Sequence, residues 1–371
     1  MAWSTLAPPA EIGFGVYVHV PFCHHKCDYC AFATFTDRAH LIDRYLDALH
    51  TEISRAATEL PPASTIFVGG GTPSLVDAGK LVRVLDVIPR KLDAEFTIEC
   101  NPDDVTREML ATYRSIGVNR ISLGMQSASP HVLQSLGRTH SPDNVTRAVD
   151  AISAAGYTTF NLDVIYGGAG ESLADWQSTI EQVISLGAPH VSAYGLTVEA
   201  GTALAEQPAR HPDDDDQADK YDLADDLLVA AGFANYEISN WAKPGHECKL
   251  NAVYWSGGDY AGFGSAAHAH RSGRRWWNVR TPDRFVELIE AGRSAESSFE
   301  QLDDATRALE RLQLQLRTRD GVPVSALDPI DIEEMSELVQ RVSHGSFGDR
   351  LVLTRAGRLL ANEVSLRLRV A

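Results

Sequence analysis

The chain has 371 residues, 50 acidic against 33 basic, for a formal net charge of −17, and 44% of its residues are hydrophobic. That length allows one large core plus a smaller appended one, and the composition excludes a disordered or fibrous chain. The acidic balance repels phosphate backbones and anionic membrane surfaces, so nucleic acid is not an expected partner. Residues 1–10 hold no basic stretch followed by an apolar one, and no later run has the apolar length of a membrane span, so a cytoplasmic location is expected.

In chain order, short apolar runs bounded by turn residues predict strands over 15–20, 65–68, 95–99, 119–124, 158–164 and 190–196. Helical spacing lies between them, as in Leu41, Tyr45, Leu46, Leu49 and Ile53. Repeated βα units of this kind predict an α/β fold, a partial (β/α)6 barrel over residues 12–240. Cysteines follow the first strand, Gly69 to Pro73 follow the second, Glu99 closes the third, Gln126 follows the fourth and Asp163 lies late in the fifth. All fall at strand C-terminal ends, the face on which barrel active sites are assembled.

The run Asp213 to Asp216 precedes a helical stretch, Tyr221 to Ala231, and reads as a solvated helix start rather than a metal cluster. Residues 241–280 are rich in Trp, Tyr and Gly, resist a regular assignment, and read as an aromatic linking segment with structure of its own. Helical patterns at 283–292, 303–317 and 331–343 precede two strand-like pieces around Gly348 and Asp349, then a last helix or strand through 356–369. Residues 281–371 are therefore expected to form a small helical or winged-helix-like domain.

Five cysteines, three of them within eight residues, do not form a secreted disulfide framework and point to metal chemistry. Cys23, Cys27 and Cys30 have the spacing C-x3-C-x2-C. Iron–sulfur cubanes take four thiolates, so three leave one iron open to a ligand. A zinc site, with His24, His25 or the distant Cys100 as fourth ligand, is the competing reading, although zinc favours paired C-x2-C or His spacings. Cys100 and Cys248 stand alone, as buried small hydrophobes do. In Gly70 and Gly71 the missing β-carbons let the backbone approach a ligand and aim N–H groups at it, unless the run is a plain tight turn.

The segment Tyr17 to Cys23, the cysteine triplet and the glycine run resemble the radical S-adenosylmethionine (SAM) superfamily. Within it the chain is similar to the oxygen-independent coproporphyrinogen III oxidase family and its heme-chaperone branch, over nearly its whole length from about Gly15. The resemblance implies a [4Fe-4S] cluster on Cys23, Cys27 and Cys30, its open iron chelated by SAM, which one electron cleaves to methionine and a 5′-deoxyadenosyl radical. It implies SAM contacts from Tyr17, Gly70, Gly71, Thr72, Glu99, Gln126, Arg138 and Asp163, with Tyr29 covering the cluster. Arg138 reads equally as a surface ion-pair residue.

Two positions separate the branches. The oxidases carry a fourth cysteine two places after the third, the chaperones Phe, and here it is Phe32. The chaperones also carry His-Asn-x-x-Tyr-Trp after a cysteine; Cys248 to Trp255 matches except for Leu250, which cannot ligate iron. The resemblance thus implies heme as cargo, heme-accepting proteins as partners and an electron donor for the cluster. The substitute heme ligands are His268 first and Cys248 second, with His246 and His270 nearby; each histidine alone has a structural reading too. Trp241, Tyr254, Trp255, Trp276 and Trp277 suit either a wall for a flat ligand or an aromatic core.

Overall fold

The computed structural model describes residues 13–343 and 348–369; the reading of residues 1–10 lies outside them. Six parallel strands lie side by side in chain order: β1 (Gly15–Val20), β2 (Ala63–Gly70), β3 (Arg90–Cys100), β4 (Arg120–Gln126), β5 (Thr159–Tyr166) and β6 (His190–Gly195). Each predicted strand is present, with ends shifted by a few residues. Seven helices accompany them: α1 (Ile42–Ala56), α2 (Ala78–Leu85), α3 (Arg107–Ser115), α4 (Pro130–Ser135), α5 (Pro142–Ala154), α6 (Leu173–Ser185) and α7 (Asp214–Ala230).

The core sits between this sheet and the helices. Val16, Val18 and Val20 of β1 are buried there with Tyr45, Leu46, Leu49 and Ile53 from one face of α1. The period-2 alternation sends Tyr17 and His19 to the opposite face of the sheet. Asp213 caps α7 by accepting from the Asp216 backbone N–H, and the other three acidic residues fill its first turn, so the acidic run is a helix start.

The sheet continues on both flanks to twelve strands. Beyond β6 lie β8 (Asn240–Ala242) and, outermost, β7 (Ala234–Glu237), both in antiparallel pairings. Beyond β1 comes β9 (Tyr260–Phe263), parallel to it, and then antiparallel β10 (His268–Arg271), β11 (Arg274–Asn278) and β12 (Glu296–Gln301). Residues 241–280 therefore hold sheet strands and one helix, α8 (Lys249–Trp255). Strands of three to five residues are too short to leave a readable alternation.

Helix α8 plugs the barrel at the end where the strands begin. The Lys249 N–H donates to Glu95 at 2.8 Å, and the buried Arg120 donates to Glu95 at 3.2 Å and to the His246 carbonyl at 2.8 Å. Thr159 pairs with His246 Nδ1 at 3.0 Å. Cys248, Leu250 and Val253 then pack against Tyr17, Phe67, Tyr254 and Tyr260 inside the barrel.

Helix α9 (Pro282–Glu290) packs on α1 through Phe285 and Tyr45, with ring centroids 5.0 Å apart. A second sheet, in the order β13 (Val322–Pro323), β15 (Asp349–Leu353), β14 (Val339–Ser343), joins α10 (Asp304–Gln315), α11 (Pro329–Glu334), α12 (Arg355–Leu359) and α13 (Ala361–Arg367). Leu312, Leu316, Val322, Leu351 and Val364 form its separate core. The helix expected over 331–343 is half helix and half strand. The chain turns at Leu338, and Val339 pairs with Leu353 in the sheet, a non-local contact that overrides the helical spacing. The stretch 356–369 is helical but broken at Leu360. Asp225 of α7 binds Arg355 at 2.8 Å, Arg358 at 3.0 Å and Trp241 Nε1 at 2.7 Å, which fastens α12 to the barrel.

Candidate functional site

The loop after β1 is closed at its base: Cys23 N–H donates to the Phe35 carbonyl at 3.2 Å, and Phe35 N–H to the Pro21 carbonyl at 2.8 Å. Each of its cysteine sulfurs has a donor nearby. Thr72 Oγ1 donates to Cys23 Sγ at 3.5 Å, Arg138 to Cys27 Sγ at 3.5 Å, and Thr34 Oγ1 lies 4.0 Å from Cys30 Sγ. Burial raises the Cys23 thiol, while Thr72 opposes that. Arg138 is thus an inward residue, set between Cys27 and the Gly124 carbonyl, and not a surface ion pair.

These thiols line a cavity of about 520 Å³ together with Tyr29, Gly70, Gly71, Thr72, Glu99, Gln126, Arg138 and Asp163. Tyr29 packs at its edge against Leu136, Ile165, Leu196 and Leu204. Among the described residues no three His, Cys, Asp or Glu side chains converge as ligands of a single ion. Cys100 sits in the core, 4% exposed, its thiol pushed up by burial.

The carboxylates stand across from the thiols. Gly70 N–H donates to Glu99 at 3.1 Å; burial, reinforced by the charge of Asp163, pushes the Glu99 carboxyl up to about 8. Burial also raises Asp163, against hydrogen bonds from Ser122 at 2.9 Å and Asn161 at 2.8 Å. Gln126 holds a left-handed backbone, φ 64°, at the mouth of β4, a conformation disfavoured for a side chain of its kind.

The glycines act differently from the expectation. A Cβ on Gly71 would lie 2.6 Å from the Phe22 carbonyl oxygen and 2.8 Å from that of Val20, and one on Gly70 would strike the His19 ring at 2.3 Å. They make room first for the cysteine loop and its support. Sequence reasoning missed Ser122, which binds Asp163, and Tyr194, which lines the cavity at the end of β6; the strand-end rule that found Glu99 and Asp163 would have found Tyr194.

Tyr17 is not in this cavity. It lines a second one, of about 590 Å³, with His19, Tyr254, Tyr260, His268, His270 and four arginines; Ala31 and Phe32 of the cysteine loop border both. Tyr17 OH meets His19 Nδ1 at 3.0 Å, and His19 Nε2 meets the Ala33 carbonyl at 3.1 Å. His268 stacks on Trp277, centroids 5.7 Å apart at 24°. Burial and the Arg275 charge lower its pKa, so its imidazole is neutral near pH 7. Cys248 reaches neither cavity: it is 3% exposed in the α8 plug, its thiol pushed up to about 12 by burial, and Leu250 lies beside it. His246 caps the strand-start end of the barrel with Thr159.

The family model of the radical SAM superfamily matches residues 17–183. The heme chaperone HemW of Mycobacterium tuberculosis is 43% identical, covering 97% of this chain and 95% of that protein. The chain belongs to the HemW family. HemW of Bacillus subtilis is 33% identical over 94% of this chain and 97% of its own length, and HemW of Escherichia coli is 33% identical over 96% and 97%. The coproporphyrinogen III oxidase HemN of E. coli shares the fold, with a TM-score of 0.82 at 20% identity, covering 98% of this chain and 92% of that one. Membership in the superfamily brings a [4Fe-4S] cluster and SAM. The site of this HemW-family chain fits both: three thiols with donors on their sulfurs, and beyond them the Glu99 and Asp163 carboxyls.

Proposed function

We propose that this chain is a heme chaperone that binds heme in the second cavity and passes it to acceptor proteins. Cys23, Cys27 and Cys30 hold the cluster; Tyr29, Gly70, Gly71, Thr72, Glu99, Gln126, Arg138 and Asp163 surround SAM. When bound, the cluster and SAM supply one-electron chemistry, which needs an electron donor. Glu99 and Asp163 receive cationic or hydroxyl groups, and the Arg138 guanidinium donates to the Cys27 sulfur. The barrel, 12–240, carries this site; 241–280 supplies the plug and part of the heme wall; 281–371 supplies α10 on the far side. Among the described residues no helix is long and apolar enough to cross a membrane, which suits work in the cytoplasm.

The observation that carries the reading is Phe32. It is 69% exposed on the wall between the two cavities, where the oxidase pattern has a cysteine. An apolar ring there offers a flat face to a macrocycle and no sulfur to a reacting substrate. His268, neutral and stacked beside the same cavity, is the axial ligand in this reading, and Tyr17 is a wall of the heme cavity. The names of the relatives at 33–43% identity agree with it. The test is an anaerobic comparison of the reconstituted protein with reductant and SAM, offered heme or coproporphyrinogen III. Stoichiometric heme binding, seen as a Soret shift, without decarboxylated product is expected; efficient decarboxylation would overturn the chaperone reading.

A further inference from the structure

In a chain of net charge −17, the second cavity is a basic island: its wall holds Arg275, Arg280, Arg307 and Arg311 against one carboxylate, Glu310. Arg275 stands on β11 in register with His270 of β10, and Trp277 in register with His268. Arg275 is fixed by Glu300 at 2.6 Å and Glu310 at 3.3 Å, which aims its guanidinium without burying it. Arg307 and Arg311 are one turn apart on α10, where Asp304 pairs with Arg307 at 3.5 Å, and both arginines line the cavity. Arg280 is exposed at the cavity and has no ion-pair partner among the described residues. The remaining wall, including Tyr254, Tyr260, Leu302 and Leu314, is apolar or aromatic.

Resting on the heme reading above, we infer that this cavity selects its cargo by its carboxylates: Arg280 and its neighbours seat the acid arms of a planar dicarboxylate tetrapyrrole whose ring lies on the aromatic wall. Iron ligation by His268 is then a separate contribution. The carboxylates offset the crowded cations, and Arg280 supplies a bidentate fork for one arm. A tetrapyrrole without iron therefore binds, and one without free acids binds poorly.

The test titrates the anaerobically reconstituted full chain with heme, with iron-free protoporphyrin IX and with its dimethyl ester, for wild type, Arg280→Glu and His268→Ala. The expected result is binding of the free acid about tenfold or more tighter than the ester, given the strength of a charged hydrogen bond. Arg280→Glu should lose about that factor for the acid and nothing for the ester. His268→Ala should change the spectrum of bound heme and leave the acid-to-ester ratio as it was. Equal affinity for acid and ester with heme still bound, or an Arg280→Glu variant that keeps full affinity for the acid, would overturn this inference alone. Failure of every tetrapyrrole, heme included, would overturn it together with the heme reading.

Discussion

Cys23, Cys27 and Cys30 differ from Cys100 and Cys248 in surroundings more than in chemistry. The first three line the cavity with hydroxyl or guanidinium donors at hand; Cys248 is packed in the α8 plug, and Cys100, which borders the same cavity, is buried in the core, where a thiolate is costly. Replacing any one of the triplet by Ala should abolish the roughly four irons per chain that a reconstituted cubane holds, whereas Cys100→Ala and Cys248→Ala should retain them, as an iron and sulfide assay would report. Glu52 makes a different prediction. It is enclosed between the Gly264 N–H and the Asn278 amide, both at 2.8 Å, and burial pushes its carboxyl up to about 7 from 4.5. Its folded pKa lies above the unfolded one, so the folded state holds the extra proton between those values. Stability should therefore fall as pH rises from about 4.5 through 7. Glu52→Gln should flatten that slope in thermal midpoints measured across the range, and an unchanged slope would remove Glu52 as its source. Glu52 was invisible in the sequence because its partners lie more than two hundred residues away. Glu99 and Asp163 were legible because a strand end marks the active face wherever the strand goes.

Among the elements, α8 decides what the family motif can do. Leu250 is 2% exposed in the plug and lines neither cavity, so the position that carries histidine in the chaperone motif is a packing position here. Leu250→His should place an imidazole among apolar side chains and cost about 2–4 kcal/mol, read as a lower denaturation midpoint. It should leave the Soret spectrum of bound heme as in wild type; a new histidine-ligated spectrum would contradict the placement of α8. The strands of the parallel sheet were legible because each is a buried apolar run between turns. Strands β9 to β11 were not: they are short, and their pairing with β1 and with one another is a long-range fact. Cys248 was proposed from its place beside the motif, and the helix that begins just after it carries it into the plug. Tyr17 was assigned to SAM from the motif it shares with the cysteines, whereas the level at which it sits on β1 places it against α8 and the second cavity.

For the whole molecule, two cavities share one thin wall, the cysteine loop at Ala31 and Phe32, and the His19 hydrogen bonds support that loop from the side of the second cavity. The C-terminal unit is fastened to the barrel through Asp225, and α10 contributes Arg307 and Arg311 to the second cavity. The six parallel strands and the helices between them could be read from composition and period. That the sheet runs on through residue 301 could not, since antiparallel edge strands close only after the chain has crossed back over the barrel. The central feature of the molecule is three thiols and two carboxyls lining one cavity, proposed to hold the cluster and SAM. Low-temperature EPR of the anaerobically reconstituted, reduced chain, recorded with and without saturating SAM, tests that assignment most directly. A [4Fe-4S]+ signal whose shape changes on adding SAM is the predicted result; a cluster signal indifferent to SAM, or bound zinc with no cluster signal at all, would contradict it.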